Sequence, residues 1–217
     1  MEPEKIKFPI RLIVYLLGIV SISLGIVLCK RCSMGISPIS SVPLVLESIL
    51  PLSFGVLTMF YHFANTILQM IIAKKVNGML LLQFALGAVF GQIINFFQFL
   101  LHFETSSIPA ELLLLSLSVF FTALGMVLML NMKLVQNPPD GLVRLISEKT
   151  GKELGTVKII YDICCVVISV FIGFVFLHQL KGFGLATIVS ALCVGRLVTF
   201  LTPHFLPLFQ KLPQKPV

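Results

Sequence analysis

Residues 23–29 read SLGIVLC and residues 123–129 read ALGMVLM. A shift of 100 positions lays Leu24-Gly25 on Leu124-Gly125 and Val27-Leu28 on Val127-Leu128. The same shift sets Pro38 on Pro138, Gly55 on Gly155 and Tyr61 on Tyr161. A shift of 104 sets Gly91 on Gly195. Matches of Leu and Val carry little weight in so apolar a chain. Those of Gly, Pro and Tyr carry more, because these residue types have backbone or polar roles. The chain is therefore written twice, and each copy holds three apolar stretches of membrane-crossing length. An odd number of spans per copy turns the second copy upside down. That is the inverted-repeat arrangement of many secondary transporters, in which the site lies where the repeats meet.

A helix needs about 20 apolar residues to cross the hydrocarbon core. Six stretches qualify, at 9–29, 52–73, 79–101, 110–131, 155–177 and 183–203. The bilayer leaves helices as the natural fold for such runs. The expected fold is an all-α bundle of six transmembrane helices in a single membrane domain over 1–217. Repeat one spans 9–101, repeat two 110–203, and 204–217 form a cytoplasmic tail. Composition agrees: 57% of the 217 residues are hydrophobic and 12% charged, against about 25% charged in soluble domains. Mean hydropathy is +1.04. The net charge of +7 would point to nucleic acid in a soluble chain. Here it sits at span ends, so no nucleic-acid partner is expected and the lipid bilayer is.

The apolar run from Pro9 is too long for a signal-peptide core, and no A-x-A-like site follows it, so it reads as a retained span. The Lys and Arg bias places both termini in the cytoplasm. Lys5, Lys7, Lys74, Lys75, Lys133, Lys149, Lys152, Lys211 and Lys215 fall inside; Lys30, Arg31 and Lys181 fall outside. The outer segment 102–109 carries Glu104 and neither Lys nor Arg. Lys30 and Arg31 are the discordant pair. Cys29 and Cys32 form a CxxC, but no second pair completes a four-ligand zinc site. These two, with Cys164, Cys165 and Cys193, read as packing residues, and no metal or cofactor is expected.

Residues 36–50 (ISPISSVPLVLESIL) are apolar but too short to cross, and 137–150 (NPPDGLVRLISEKT) hold the same place in the second copy. Each opens with a polar residue before proline, Ser37-Pro38 and Asn137-Pro138, which marks a helix start. Lys149, Gly151 and Lys152 fit the end of the second. Each copy thus gains a short helix. Either the two are re-entrant, with positive N-termini aimed at a central site, or they lie in the interface on opposite membrane faces. We favour the re-entrant or half-buried form.

Several of these segments together resemble the YitT/YczE family of bacterial integral membrane proteins. They are the Leu-Gly end of span one, the Ser-Pro segment, Asn-Pro-Pro-Asp-Gly-Leu at 137–142, Val157-Lys158-Ile159 with Asp162, and Gly182-Phe183-Gly184 with Thr187. The resemblance covers nearly the whole chain. It implies a multi-pass protein of the bacterial inner (plasma) membrane and implies no substrate.

Ionisable groups inside spans are costly and are functional candidates by default. Lys158 and Asp162 share one face of span five; Arg196 lies in span six, His62 in span two, and Gln92 in span three. The repeat shifts set His62 on Asp162 and Gln92 on Arg196. Asp162 and Arg196 are expected to face the interior and to pair, either as a substrate site or as a structural ion pair. Lys158 either joins them or snorkels to headgroups. Asp140 and Arg144 have the spacing of a local pair. Ser37, Ser40 and Ser41 offer hydroxyls for an anion or for capping. His62 is either a proton relay or, with Asn65 and Gln69, an interhelical hydrogen-bonding group. Gly87 and Gly91 form a GxxxG packing face. No H-E-x-x-H, P-loop or G-x-S-x-G motif is present.

The leading reading is secondary transport of a small anionic or zwitterionic solute by a bundle small enough to suggest a homodimer. The rivals are an accessory protein that stabilises a membrane partner and, third, a membrane-embedded enzyme.

Overall fold

The computed structural model describes residues 6–103, 105, 107–179, 182–210 and 212. Lys5, Glu104, Lys181, Lys211 and Lys215, used in the charge reading, lie outside them. The regular structure is helical: α1 (Phe8–Arg31), α2 (Pro38–Glu47), α3 (Phe54–Ala73), α4 (Gly78–Leu100), α5 (Ile108–Met132), α6 (Pro138–Thr150), α7 (Leu154–Ile172) and α8 (Leu185–Gln210). A π-helical turn at Gly173–Leu177 extends α7. All six expected spans are helices long and apolar enough to cross a membrane. Their outward surfaces carry Leu, Ile, Val and Phe side chains in quantity, as lipid contact requires. This is a multi-pass membrane protein.

The helix starts follow the sequence. Prolines occupy the first turn of α1, α2, α5 and α6, where the missing N–H costs nothing. Ser53 and Asn77 cap α3 and α4 by accepting from the Val56 and Leu80 amides. Ser37 and Asn137 stand at the expected N-cap positions but do not cap. Ser37 instead donates to the Ser40 hydroxyl, and Asn137 to Asp140. Helix α6 ends where expected, on Gly151 with φ +68°. Helix α8 runs past residue 203, through Pro203 and Pro207, to Gln210. The segment read as a tail from 204 therefore begins as helix; a proline in a membrane helix is tolerated where neighbouring groups take up the freed carbonyl.

The centre of the bundle is the contact of α1 with α5, the most extensive in the molecule. Gly18 meets Gly125 and Met129, while Gly25 meets Ser118 and Thr122. The two helices therefore run antiparallel. A β-carbon at Gly125 would stand 2.5 Å from the Gly18 carbonyl oxygen, so only glycine permits this approach. Three side-chain bonds to backbone carbonyls rivet the pair: Arg11 to Met132 (2.7 Å), Tyr15 to Val135 (2.8 Å) and Ser21 to Phe121 (2.7 Å).

Around this pair, α4 packs on α1 and α8 on α5, and each short helix touches both α3 and α7. The first turns of α2 and α6 are buried at Pro38, Ser40, Ser41, Pro138, Pro139 and Gly141. The GxxxG face of α4 works as expected: Gly91 lies on Gly55 and Met59, and Gly87 on His62 and Phe63. Helices α7 and α8 lack such a joint. Lys30 and Arg31, discordant in the charge pattern, are both engaged. Lys30 pairs with Glu47 at 2.6 Å, and Glu47 also accepts from the Phe54 amide. Arg31 donates to the Gln98 carbonyl. Cys29, Cys32 and Cys165 are buried free thiols, consistent with packing, whereas Cys164 and Cys193 are exposed rather than packed.

Replacing Gly125 by Leu should destabilise the protein by about 1–3 kcal/mol or more through overpacking, read as a lower melting temperature in detergent. Gly155→Leu, where nothing lies within 4 Å of a β-carbon, should leave the melting temperature unchanged.

Candidate functional site

Helices α3 and α7 meet at Tyr61 and Tyr161, whose hydroxyls are 2.6 Å apart. Tyr161 donates to the Asn65 side-chain oxygen at 2.7 Å. Tyr61 lies 3.1 Å from the Cys165 sulfur. Asn65 donates in turn to the Tyr61 carbonyl. Helical spacing explains the cluster, since 61 and 65 lie one turn apart on α3, as do 161 and 165 on α7. The result is a chain of neutral groups, each donating or accepting hydrogen bonds, inside a bundle whose exterior is hydrocarbon. Such bonds strengthen one another where water is scarce.

The short helices extend this cluster. On one side Ser41 of α2 donates to the Pro38 carbonyl at 2.7 Å and lies 3.4 Å from the Cys165 carbonyl oxygen. Ser169 of α7 donates to the Ser41 carbonyl at 3.2 Å. On the other side Gln69 of α3 donates to the Pro138 carbonyl at 3.0 Å and to the Gln83 oxygen at 2.7 Å. Gln83 answers to Gln69, and Thr66 donates to Gln83. All of these side chains except the two tyrosines, and Cys165 with them, are buried residues; the tyrosines are half-buried.

The anticipated site residues divide. Ser41 belongs to the network, and Ser37 stands at the start of α2, half-buried, bonded to Ser40. His62 is buried against the Phe90 ring at 5.1 Å, and its Nδ1 has no partner among the described residues. Asp140 sits in the first turn of α6 and accepts from Asn137. Arg144 pairs with Glu148 instead of Asp140, at 2.9 Å on the exposed side of α6.

Asp162 pairs with Lys158 at 2.8 Å, not with Arg196. Arg196 is exposed on α8 and makes no hydrogen bond or ion pair among the described residues; Gln92 is exposed on α4. The physical reason is the rotation of these helices. Residues 92 and 196 occupy matching positions on the faces of α4 and α8 that turn away from the bundle, and α8 rests on α5 rather than α7. The Lys158 ammonium also lies 5.8 Å from the Tyr161 ring centre, which ties the ion pair to the edge of the tyrosine cluster. No cluster of His, Cys, Asp and Glu able to hold a metal exists among the described residues.

Sequence reasoning missed the leading pair. Tyr61 and Tyr161 entered as repeat markers and, in a chain without tryptophan, as interfacial-belt residues with Tyr15, and Gln83 did not enter at all. The signal was available: two tyrosines aligned by the repeat shift, each one turn from a further polar residue or thiol.

A family model matches residues 9–203, nearly the whole length. The chain belongs to the DUF6198 family, described as a family of unknown function. No curated protein and no solved structure matches it.

Removing the Tyr161 hydroxyl by Tyr161→Phe should cost about 1–2 kcal/mol, the upper range for polar contacts between membrane helices. Tyr61→Phe combined with it should cost less than the sum of the single changes, as denaturant titration in detergent will show, because the two share one bond.

Proposed function

We propose that the protein is a secondary transporter of the bacterial inner membrane, moving a small anionic or zwitterionic solute where two inverted halves meet. The observation that carries this reading is the reciprocity of the central contacts. Under the shift of 100, the Tyr61–Tyr161 bond maps onto itself, and Tyr161–Asn65 maps onto Tyr61–Cys165. Gly25 against Thr122 and Ser118 maps onto Gly125 against Ile22 and Gly18. A two-fold axis in the membrane plane through the tyrosine pair is the simplest relation that exchanges contacts in this way. Transporter sites of this architecture form on such an axis.

The surroundings suit an anion. The first turns of α2 and α6 reach α7 and α3 through Ser41 and Pro138, and helix N-termini favour negative charge. Asp162 with Lys158 supplies an exchangeable pair beside the cluster, and His62 a buried imidazole with an unused nitrogen. Ser37 and Asp140 stand at the two helix starts. Arg196 and Gln92 mark matching outward faces of the last spans. The Lys and Arg bias puts both termini in the cytoplasm, and the likeness to the YitT/YczE family agrees with a bacterial inner membrane.

Two measurements test this. Topology reporters fused after Thr105 and after Glu153 should report outside and inside respectively; the opposite at either point removes the inverted arrangement. A panel of small carboxylates, phosphates and amino acids should contain compounds that raise the melting temperature of the purified protein and that enter proteoliposomes. Stabilisation by a protein partner alone would instead favour an accessory role.

A further inference from the structure

In the first half, α3 and α4 are zipped together. Gly91 lies on Gly55 and Met59, Gly87 lies on His62 and Phe63, and the Phe63 and Phe84 rings are 5.2 Å apart. The Gly55 amide donates to Asn95 at 3.0 Å. The second half keeps the two glycines and sets small or branched residues at the other matching positions, with Gly155 for Gly55, Ile159 for Met59, Ile163 for Phe63, Ile188 for Phe84, Ala191 for Gly87 and Gly195 for Gly91, while Asn95 is matched by Thr199, which donates to the Gly195 carbonyl. Positions 155, 159 and 163 share one face of α7, and 188, 191 and 195 share one face of α8. Yet the joint is not made. Gly155 and Gly195 have nothing within 4 Å of a β-carbon, and Ile159, Ile163 and Ile188 are exposed.

A second difference accompanies the first. The Lys30–Glu47 pair, which receives the Phe54 amide at the start of α3, has Leu130 and Ser147 at its matching positions. An ion pair cannot form there. The closed half carries a latch and the open half carries none.

We propose that α7 and α8 close on each other through this face, repeating the α3–α4 joint, and that their separation is the gate of the transport path. The proposal rests on the transporter reading above. Small residues on α8 meet branched residues on α7 in the register already used by α4 and α3, so α8 of the same chain is the occupant that fits. The base of α8 is already held: Gly184 lies on Met34 and Gly35, and the Ala186 amide donates to the Met34 carbonyl at 2.9 Å. Closure then needs only a relative tilt beyond that anchor. The π-helical turn at Gly173–Leu177 stands in the connection, and such turns are frequent at functional sites. On closing, Ala191 comes over Asp162 as Gly87 lies over His62. Asp162 keeps Lys158 as its partner, which is what a carboxylate moving out of a polar setting requires. The ion pair therefore sits at the edge of the gate, next to Tyr161.

The test is a cross-link in native membranes with no solute added. Cys164 and Cys193, both exposed, are first replaced by Ser. Ile163→Cys with Ile188→Cys should then join within one chain under a short thiol-reactive bifunctional reagent. Ile160→Cys with Leu192→Cys, outside the proposed register, should not. Adding Gly195→Leu should abolish the 163–188 cross-link while leaving the melting temperature unchanged, because the bulk is harmless in the open form and blocks closure. No 163–188 cross-link, one that survives Gly195→Leu, or one that joins two chains overturns the proposal; the last result assigns the face to a second copy. Closure without any solute binding or flux would defeat the transporter reading, and with it the role of the joint as a gate, while the joint itself stands. Solute flux without the cross-link would defeat the gate alone.

Discussion

The close approach of α1 and α5 through Gly18, Gly25 and Gly125 is the constraint on which the rest of this structure depends. In lipid there is little hydrophobic drive between helices, so association relies on tight packing and on polar groups that find partners. Glycine supplies the first by letting backbone meet side chain and backbone. Arg11, Tyr15 and Ser21 supply the second by donating to carbonyls of, or just beyond, the opposite helix. With α1 and α5 fixed, α4 and α8 have supports. The remaining spans α3 and α7 carry the tyrosine cluster, and the short helices α2 and α6 pack against both.

This division explains where polar groups can be afforded. The outer faces are hydrocarbon, and the inner faces of α3 and α7 hold Tyr, Asn, Thr, Gln and Ser that pair with one another, with Gln83 of α4 and with carbonyls of α2 and α6. Nearly all of the central bonds are between neutral groups, which avoids the desolvation cost of bare charge. The charged pairs lie at the edge: Lys30–Glu47 at one helix junction and Lys158–Asp162 on α7.

Much of the fold was legible because the bilayer restricts the choices. Six apolar runs became six helices within a few residues, and Pro38 and Pro138 marked two further helix starts. The last helix outran its apolar stretch, since α8 continues through Pro203 and Pro207 to Gln210. The site was less legible. Charge drew attention to Asp162 and Arg196, but which helix faces meet depends on packing between distant segments. The contacts of α8 with α5 turn Arg196 outward, and a near neighbour on α7 serves Asp162. The tyrosine pair was hidden for the opposite reason: its residues are uncharged and common at membrane interfaces, so only their alignment under the repeat singled them out.

The central claim is that the two halves meet at Tyr61 and Tyr161, and oxidative coupling of tyrosines tests it most directly. The chain has three tyrosines and no tryptophan, so a dityrosine signal is simple to assign. Brief photo-oxidation of the purified protein should give dityrosine fluorescence in the monomer band, lost in Tyr61→Phe and in Tyr161→Phe and retained in Tyr15→Phe. Absence of the signal, its loss with Tyr15→Phe, or its appearance only between chains would contradict the account.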